Sequence, residues 1–192
     1  MELYMEYFGY VTGLLYIVWE IRQNNLMWIV GILSAIAYVI VFAGSGLYAA
    51  MSFQLYYLAV SIYGLASWKR DKENEDSMII YRVVDCKVLL LSLLIGCVAF
   101  CFIWGVLNNF TDDPMPVTDA VIASLSIVAT WWLSKSYIHQ WLLWVLVNCW
   151  SVFMFISQHL YLTSVLYILY AVFAVYGFLH WRKKGKKLEN KQ

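Results

Sequence analysis

Charge is what this chain has least of. Asp, Glu, Lys and Arg make up 13% of its 192 residues, against about 25% in a water-soluble domain. With 63% hydrophobic residues, a soluble fold would leave too much apolar surface in water, so the chain belongs in a bilayer. A net charge of +1 supplies no excess of basic residues for nucleic acid, and none is expected as a partner. Proline is nearly absent, and Pro114 and Pro116 are not placed to act as mid-span hinges. No nucleotide-binding loop, zinc-protease helix or Ser/His/Asp set is present. No stretch outside the apolar runs is long enough to hydrolyse ATP. The chain therefore reads as neither an enzyme nor a primary pump, and no cofactor is expected. The N-terminus lacks a basic region and a small-residue cleavage site, so no removable signal peptide is expected. The cysteines (Cys86, Cys97, Cys101, Cys149) lie in or beside apolar stretches and read as small helix fillers. His139, His159 and His180 fall near the ends of apolar runs, and no metal site is expected.

What the chain does have is long apolar runs. A span needs about 20 mostly apolar residues. Candidates lie at roughly 3–19, 26–44, 48–67, 83–107, 116–133, 138–157 and 160–180. Every Lys and Arg falls in or beside four regions: Arg22, Lys69 to Lys87, Lys135, and Arg182 to Lys191. Seven spans put all four on one face. The other face carries Glu2, Glu6, Asp112 and Asp113 and no basic residue. The positive-inside rule then places the C-terminus in the cytoplasm and the N-terminus outside.

The chain also repeats itself. Tyr63-Gly64 and Trp68 return 113 residues later as Tyr176-Gly177 and Trp181. Trp19 maps to Trp132, Arg22 to Lys135, Trp28 to Trp141, Phe42 to Phe155, and Tyr57 to Tyr170. Both copies begin with spans that run the same way, so the halves are parallel and the fourth span links them. The expected fold is an all-α integral membrane protein, with seven transmembrane helices in a 3+1+3 arrangement of two parallel three-helix repeats. Repeat one covers about 8–70, the linker helix about 83–107 and repeat two about 116–183, with a basic cytoplasmic tail at 184–192. The Trp and Tyr of the repeated Tyr-Gly-x3-Trp are expected to be interfacial anchors.

Substrate residues are sought where the repeats differ at mid-span. Gln54, Tyr57 and Ser61 share one helical face, and their repeat partners are Tyr167, Tyr170 and Ala174. Trp144, Asn148 and Ser151 share another, and their partners are Gly31, Ala35 and Tyr38. Amides in apolar helices need hydrogen-bond partners, either from a neighbouring helix or from a ligand. Beside Trp144 and the tyrosines, Asn148 and Gln54 suit a heterocycle whose edge is read by amides and whose face is stacked by rings. The candidate substrate-binding set is Trp144, Asn148, Gln54, Tyr57, Tyr167 and Tyr170. Glu20 and Arg22 read as solvated or paired at the end of span one. Asp119 reads as the cap of span five, with Thr118 as an alternative cap, or as a residue lining the outer vestibule.

Together these residues resemble the PnuC family of bacterial vitamin transporters. The resemblance runs over about residues 8–183. It rests on Trp28, Gly46-Leu47-Tyr48, Gln54, Tyr63-Gly64-x3-Trp68, Asp119, Trp141-x2-Trp144-x3-Asn148 and Tyr176-Gly177-x3-Trp181. It implies a 3+1+3 fold related to the SWEET proteins and assembly as a homotrimer in the bacterial inner membrane. It also implies facilitated diffusion of an unphosphorylated vitamin that a cytoplasmic kinase traps, with Trp144-x3-Asn148 as the substrate-binding motif. Nicotinamide riboside is the first expectation and thiamine the alternative; riboflavin is a third substrate of such families. Both leading substrates carry a cationic aromatic ring that Trp and Tyr faces attract. A SWEET-like sugar channel on the same scaffold would favour prolines near helix hinges, which this chain lacks. A membrane enzyme would need a catalytic constellation.

Overall fold

The computed structural model describes residues 13–44, 48–73 and 79–188. Residues 13–21 are helical (α1), followed by α2 (Leu26–Gly44), α3 (Tyr48–Glu73), α4 (Cys86–Phe110), α5 (Pro116–Ser134), α6 (Gln140–Ser157) and α7 (Tyr161–Lys184). Two short strands, β1 (Ile80–Tyr81) and β2 (Lys186–Lys187), pair in parallel. Helices α2, α4, α5, α6 and α7 are long and apolar enough to cross a membrane. Helix α3 is as long, but Gln54 and the tyrosines at 56, 57 and 63 dilute its hydropathy. Large apolar side chains such as Leu90, Phe102 and Phe153 stand exposed along these helices, as a lipid-facing surface requires.

The helix ends refine the expected boundaries. Residues 3–12 of the first expected span lie outside the described residues, and α1 runs on to residue 21. Helix α3 continues to Glu73, through the Tyr-Gly-x3-Trp segment. Helix α4 starts at Cys86 rather than 83, because the Asp85 side chain accepts the Val88 N–H at 2.8 Å and caps it. Neither Thr118 nor Asp119 caps α5. Met115 holds the cap position and Pro116 opens the helix, where its missing N–H has no partner to lose. Asp119 sits in the first turn. The four cysteines are free and exposed rather than packed as fillers. The basic tail is partly ordered, since Lys186 and Lys187 form β2.

Helix α2 packs along α3, and α6 packs along α7. The same device joins each pair. The Trp28 ring lies against Gly64, where an added Cβ would meet it at 2.5 Å; the Trp141 ring lies against Gly177, where the distance is 2.7 Å. These two contacts are one contact repeated 113 residues apart. Trp28, Trp68, Trp141 and Trp181 are all fully buried. Their rings meet edge to face, Trp28 to Trp68 at 5.2 Å and Trp141 to Trp181 at 5.5 Å. Trp68 and Trp181 are therefore not interfacial anchors. Each donates its indole N–H to a helix end in the other copy: Trp68 to the Leu133 carbonyl at 3.1 Å, and Trp181 to the Ile21 carbonyl at 2.9 Å. Those carbonyls belong to final helical turns; the Leu133 carbonyl also accepts the Ser136 N–H at 2.9 Å. Tyr63 and Tyr176 do remain exposed.

The two copies meet at Gln23 and Ser136, themselves 113 apart. Gln23 Nε2 donates to Ser136 Oγ at 3.1 Å. Both residues adopt left-handed backbone conformations, with φ 50° and 59°. The same Gln23 amide clasps β1: Nε2 donates to the Ile80 carbonyl at 2.9 Å, and Oε1 accepts the Ile80 N–H at 2.8 Å. Lys72 Nζ donates to the Gln23 carbonyl. Arg82 pairs with Asp71 at 2.7 Å and donates to the Lys135 carbonyl at 3.0 Å. Since β1 also pairs with β2, the four basic regions of the sequence are gathered at one end of the bundle.

Two predictions follow from this packing. Gly64→Ala and Gly177→Ala should each destabilise the protein by about 1–3 kcal/mol through overpacking against Trp28 or Trp141. Gly105→Ala, at a position with open space, should not; thermal unfolding in detergent measures the difference. Gln23→Ala leaves the buried Ile80 N–H and C=O unpaired and should cost about 2–4 kcal/mol, read by the same assay.

Candidate functional site

Two cavities flank the junction of the copies. The first, about 340 Å³, lies among α1, α5, α6 and α7, with Tyr57 reaching in from α3. The second, about 260 Å³, lies among α1, α2 and α3, closed by Thr130, Leu133 and Trp144. They are built from equivalent positions. Trp144, Asn148, Ser151, Tyr167, Tyr170 and Ala174 line the first. Their repeat partners Gly31, Ala35, Tyr38, Gln54, Tyr57 and Ser61 all line the second. The side chains at these paired positions differ between the two cavities.

The structure brings five of the six candidate residues together. Trp144, Asn148, Tyr57, Tyr167 and Tyr170 all line the first cavity. Gln54 lines the second, which it shares with Tyr57 and Trp144. Helix periodicity explains the placement: Trp144, Asn148 and Ser151 present one face of α6, and Tyr167, Tyr170 and Ala174 one face of α7. Tyr167 and Tyr170 meet edge to face at 5.7 Å, and Phe155 backs Tyr167 at 4.9 Å. The Tyr170 hydroxyl occupies the space beside Gly13, where a Cβ would collide with it. Asn148 is buried, as is the Trp144 indole nitrogen, which finds no hydrogen-bond partner. Such donors and acceptors are costly in a membrane interior unless something pairs with them. The aromatic faces and free polar edges suit a flat, hydrogen-bonding solute.

One residue overturns the sequence expectation. Glu20 is neither solvated nor ion-paired: it is 5% exposed and lines both cavities. The ion pairs among the described residues are Arg70–Asp71 and Arg82–Asp71, and neither involves Glu20. Its position beside the polar run 22–25 suggested a helix end in water. That end instead folds under the bundle at Gln23. A signal was present, since Gly13, Tyr16, Ile17 and Glu20 share one helical face and all line the first cavity. Arg22, by contrast, is exposed. Gln140, fully buried, is a second residue not singled out from the sequence.

A bundle of membrane-length helices around such cavities is the architecture of a membrane transport protein. The chain belongs to the family described as nicotinamide mononucleotide transporter, whose model matches residues 3–183. It is similar to the nicotinamide riboside transporter PnuC of Escherichia coli (strain K12), with 26% identity over 213 residues covering 96% of this chain and 89% of the relative. It is likewise similar to the nicotinamide riboside transporter PnuC of Neisseria mucosa, with 27% identity over 188 residues covering 92% and 71%. Among solved structures, "Crystal structure of the Vitamin B3 transporter PnuC" shares the fold. That match has a TM-score of 0.65 and 22% identity, and covers 91% of this chain and 78% of that one.

Proposed function

We propose that this protein carries nicotinamide riboside across the bacterial inner membrane by facilitated diffusion, with phosphorylation in the cytoplasm trapping what has entered. The observation that carries the reading is the first cavity, where Trp144, Tyr57, Tyr167 and Tyr170 surround the buried amide of Asn148. The ring faces suit the pyridinium of the substrate, and the amide suits its carboxamide or ribose. Relatives that the chain matches over nearly its full length bear the name nicotinamide riboside transporter.

The reading includes a parallel 3+1+3 arrangement with α4 as the linker. The paired Trp–Gly contacts and the bond between equivalent residues Gln23 and Ser136 support it. The gathered basic end faces the cytoplasm, which puts the C-terminus inside and the N-terminus outside. Assembly as a homotrimer follows from the family resemblance. Gln54 lines the second cavity, and on this reading it meets the substrate at another stage of passage.

Vesicles loaded with ATP and a nicotinamide riboside kinase should accumulate labelled nicotinamide riboside saturably. Trp144→Ala and Asn148→Leu should each weaken binding roughly tenfold or more. Leu146→Ala, on the exposed face of α6, should not. Normal binding by both cavity variants in folded protein would remove the site, and thiamine accumulation without nicotinamide riboside uptake would change the substrate.

A further inference from the structure

Glu20 is the carboxyl group that the site keeps out of water and leaves without an ionic partner. Its Oε1 is buried without a hydrogen-bond partner. The Gln140 side chain lies beside it, yet neither Gln140 amide atom closes a hydrogen bond of good geometry. No basic side chain among the described residues forms an ion pair with it. A carboxylate at such a place is costly unless an opposite charge arrives. The same carboxylate lines both cavities, together with Tyr16, Tyr57 and Trp144, which form the wall the two cavities share. Three aromatic residues thus border the same space as Glu20, and aromatic faces favour cations. Duplication does not explain Glu20. The equivalent residue in the second copy is Leu133, buried and apolar, so the pair of cavities holds a single acidic group at these positions.

We propose that Glu20 is the counter-charge that makes this site select a cationic aromatic heterocycle over its neutral analogue, and that it serves both cavities. The proposal rests on the substrate reading above and adds a specificity determinant to it. A solute crossing from one cavity to the other stays within reach of one carboxylate, so its ring charge need not be stripped of a partner on the way.

The test compares nicotinamide riboside, whose ring is cationic, with dihydronicotinamide riboside, which is neutral and nearly the same shape. Calorimetry on the purified full-length protein should show the cation bound roughly tenfold or more tighter. Glu20→Gln, of the same size, should remove that preference by weakening the cation while changing the neutral form less than about twofold. Glu20→Asp should retain the preference. Equal weakening of both forms by Glu20→Gln would make Glu20 a packing residue and overturn the proposal. So would equal binding of the two forms by the unaltered protein, a result that needs no variant to fold. Thiamine, a second cation, separates the two claims. If the unaltered protein binds thiamine but neither riboside, the substrate reading fails. Glu20 is then judged by whether Glu20→Gln weakens thiamine roughly tenfold or leaves it unchanged.

Discussion

Two indole N–H groups hold the halves of this protein to one another. A helix that ends inside a bundle leaves its last carbonyls without donors, and a membrane interior offers no water to supply them. Trp181 of α7 supplies one to the Ile21 carbonyl of α1, and Trp68 of α3 adds one to the Leu133 carbonyl of α5, which also accepts the Ser136 N–H. Each bond crosses from one copy to the other. Each Trp reaches its carbonyl from a helix that a glycine lets its neighbour approach, Gly64 under Trp28 and Gly177 under Trp141. The ends of α1 and α5 are thereby fixed, and with them the cavity residues one turn or more above. Glu20 stands next to the carbonyl that Trp181 holds.

Duplication read alone says that two similar units exist; the contacts show how they share a centre. The bond from Gln23 to Ser136 joins residues at equivalent positions of the sequence repeat. Equivalent positions of the repeat line two cavities: Trp144, Asn148, Tyr167 and Tyr170 the first, and Gly31, Ala35, Gln54 and Tyr57 the second, with Trp144 and Tyr57 bordering both. An asymmetric solute needs unequal walls, and side-chain divergence on a repeated scaffold provides them without altering the helix packing.

Much of this was legible from the sequence. Apolar run length located the helices, and the period of 3.6 residues placed Trp144, Asn148, Tyr57, Tyr167 and Tyr170 at one cavity. The basic residues share an end, as their spacing required. Trp68 and Trp181 were misread because the sequence shows a Trp beside Lys and Arg, the usual composition of an interface. Only tertiary structure shows that α3 extends past that point and that β1 and β2 cover it. Glu20 was misread for a related reason. Its burial depends on the left-handed turn at Gln23, whose side chain is satisfied by Ile80, a residue far away in the chain. Local pattern cannot report a partner at that distance.

The clasp at Gln23 has a mechanical meaning. It binds the α1–α2 turn, the α5–α6 turn and β1 with hydrogen bonds, and β1 is paired in turn with the end of the chain after α7. Among the described residues the opposite end is joined more lightly, by a bond from Ser157 Oγ to Met115 Sδ at 3.3 Å. If one half rocks against the other, the clasped end is the fulcrum and moves least. In such a motion the far ends of α2, α5 and α6 would sweep the wider arc, while the knot beneath the cavities stayed fastened.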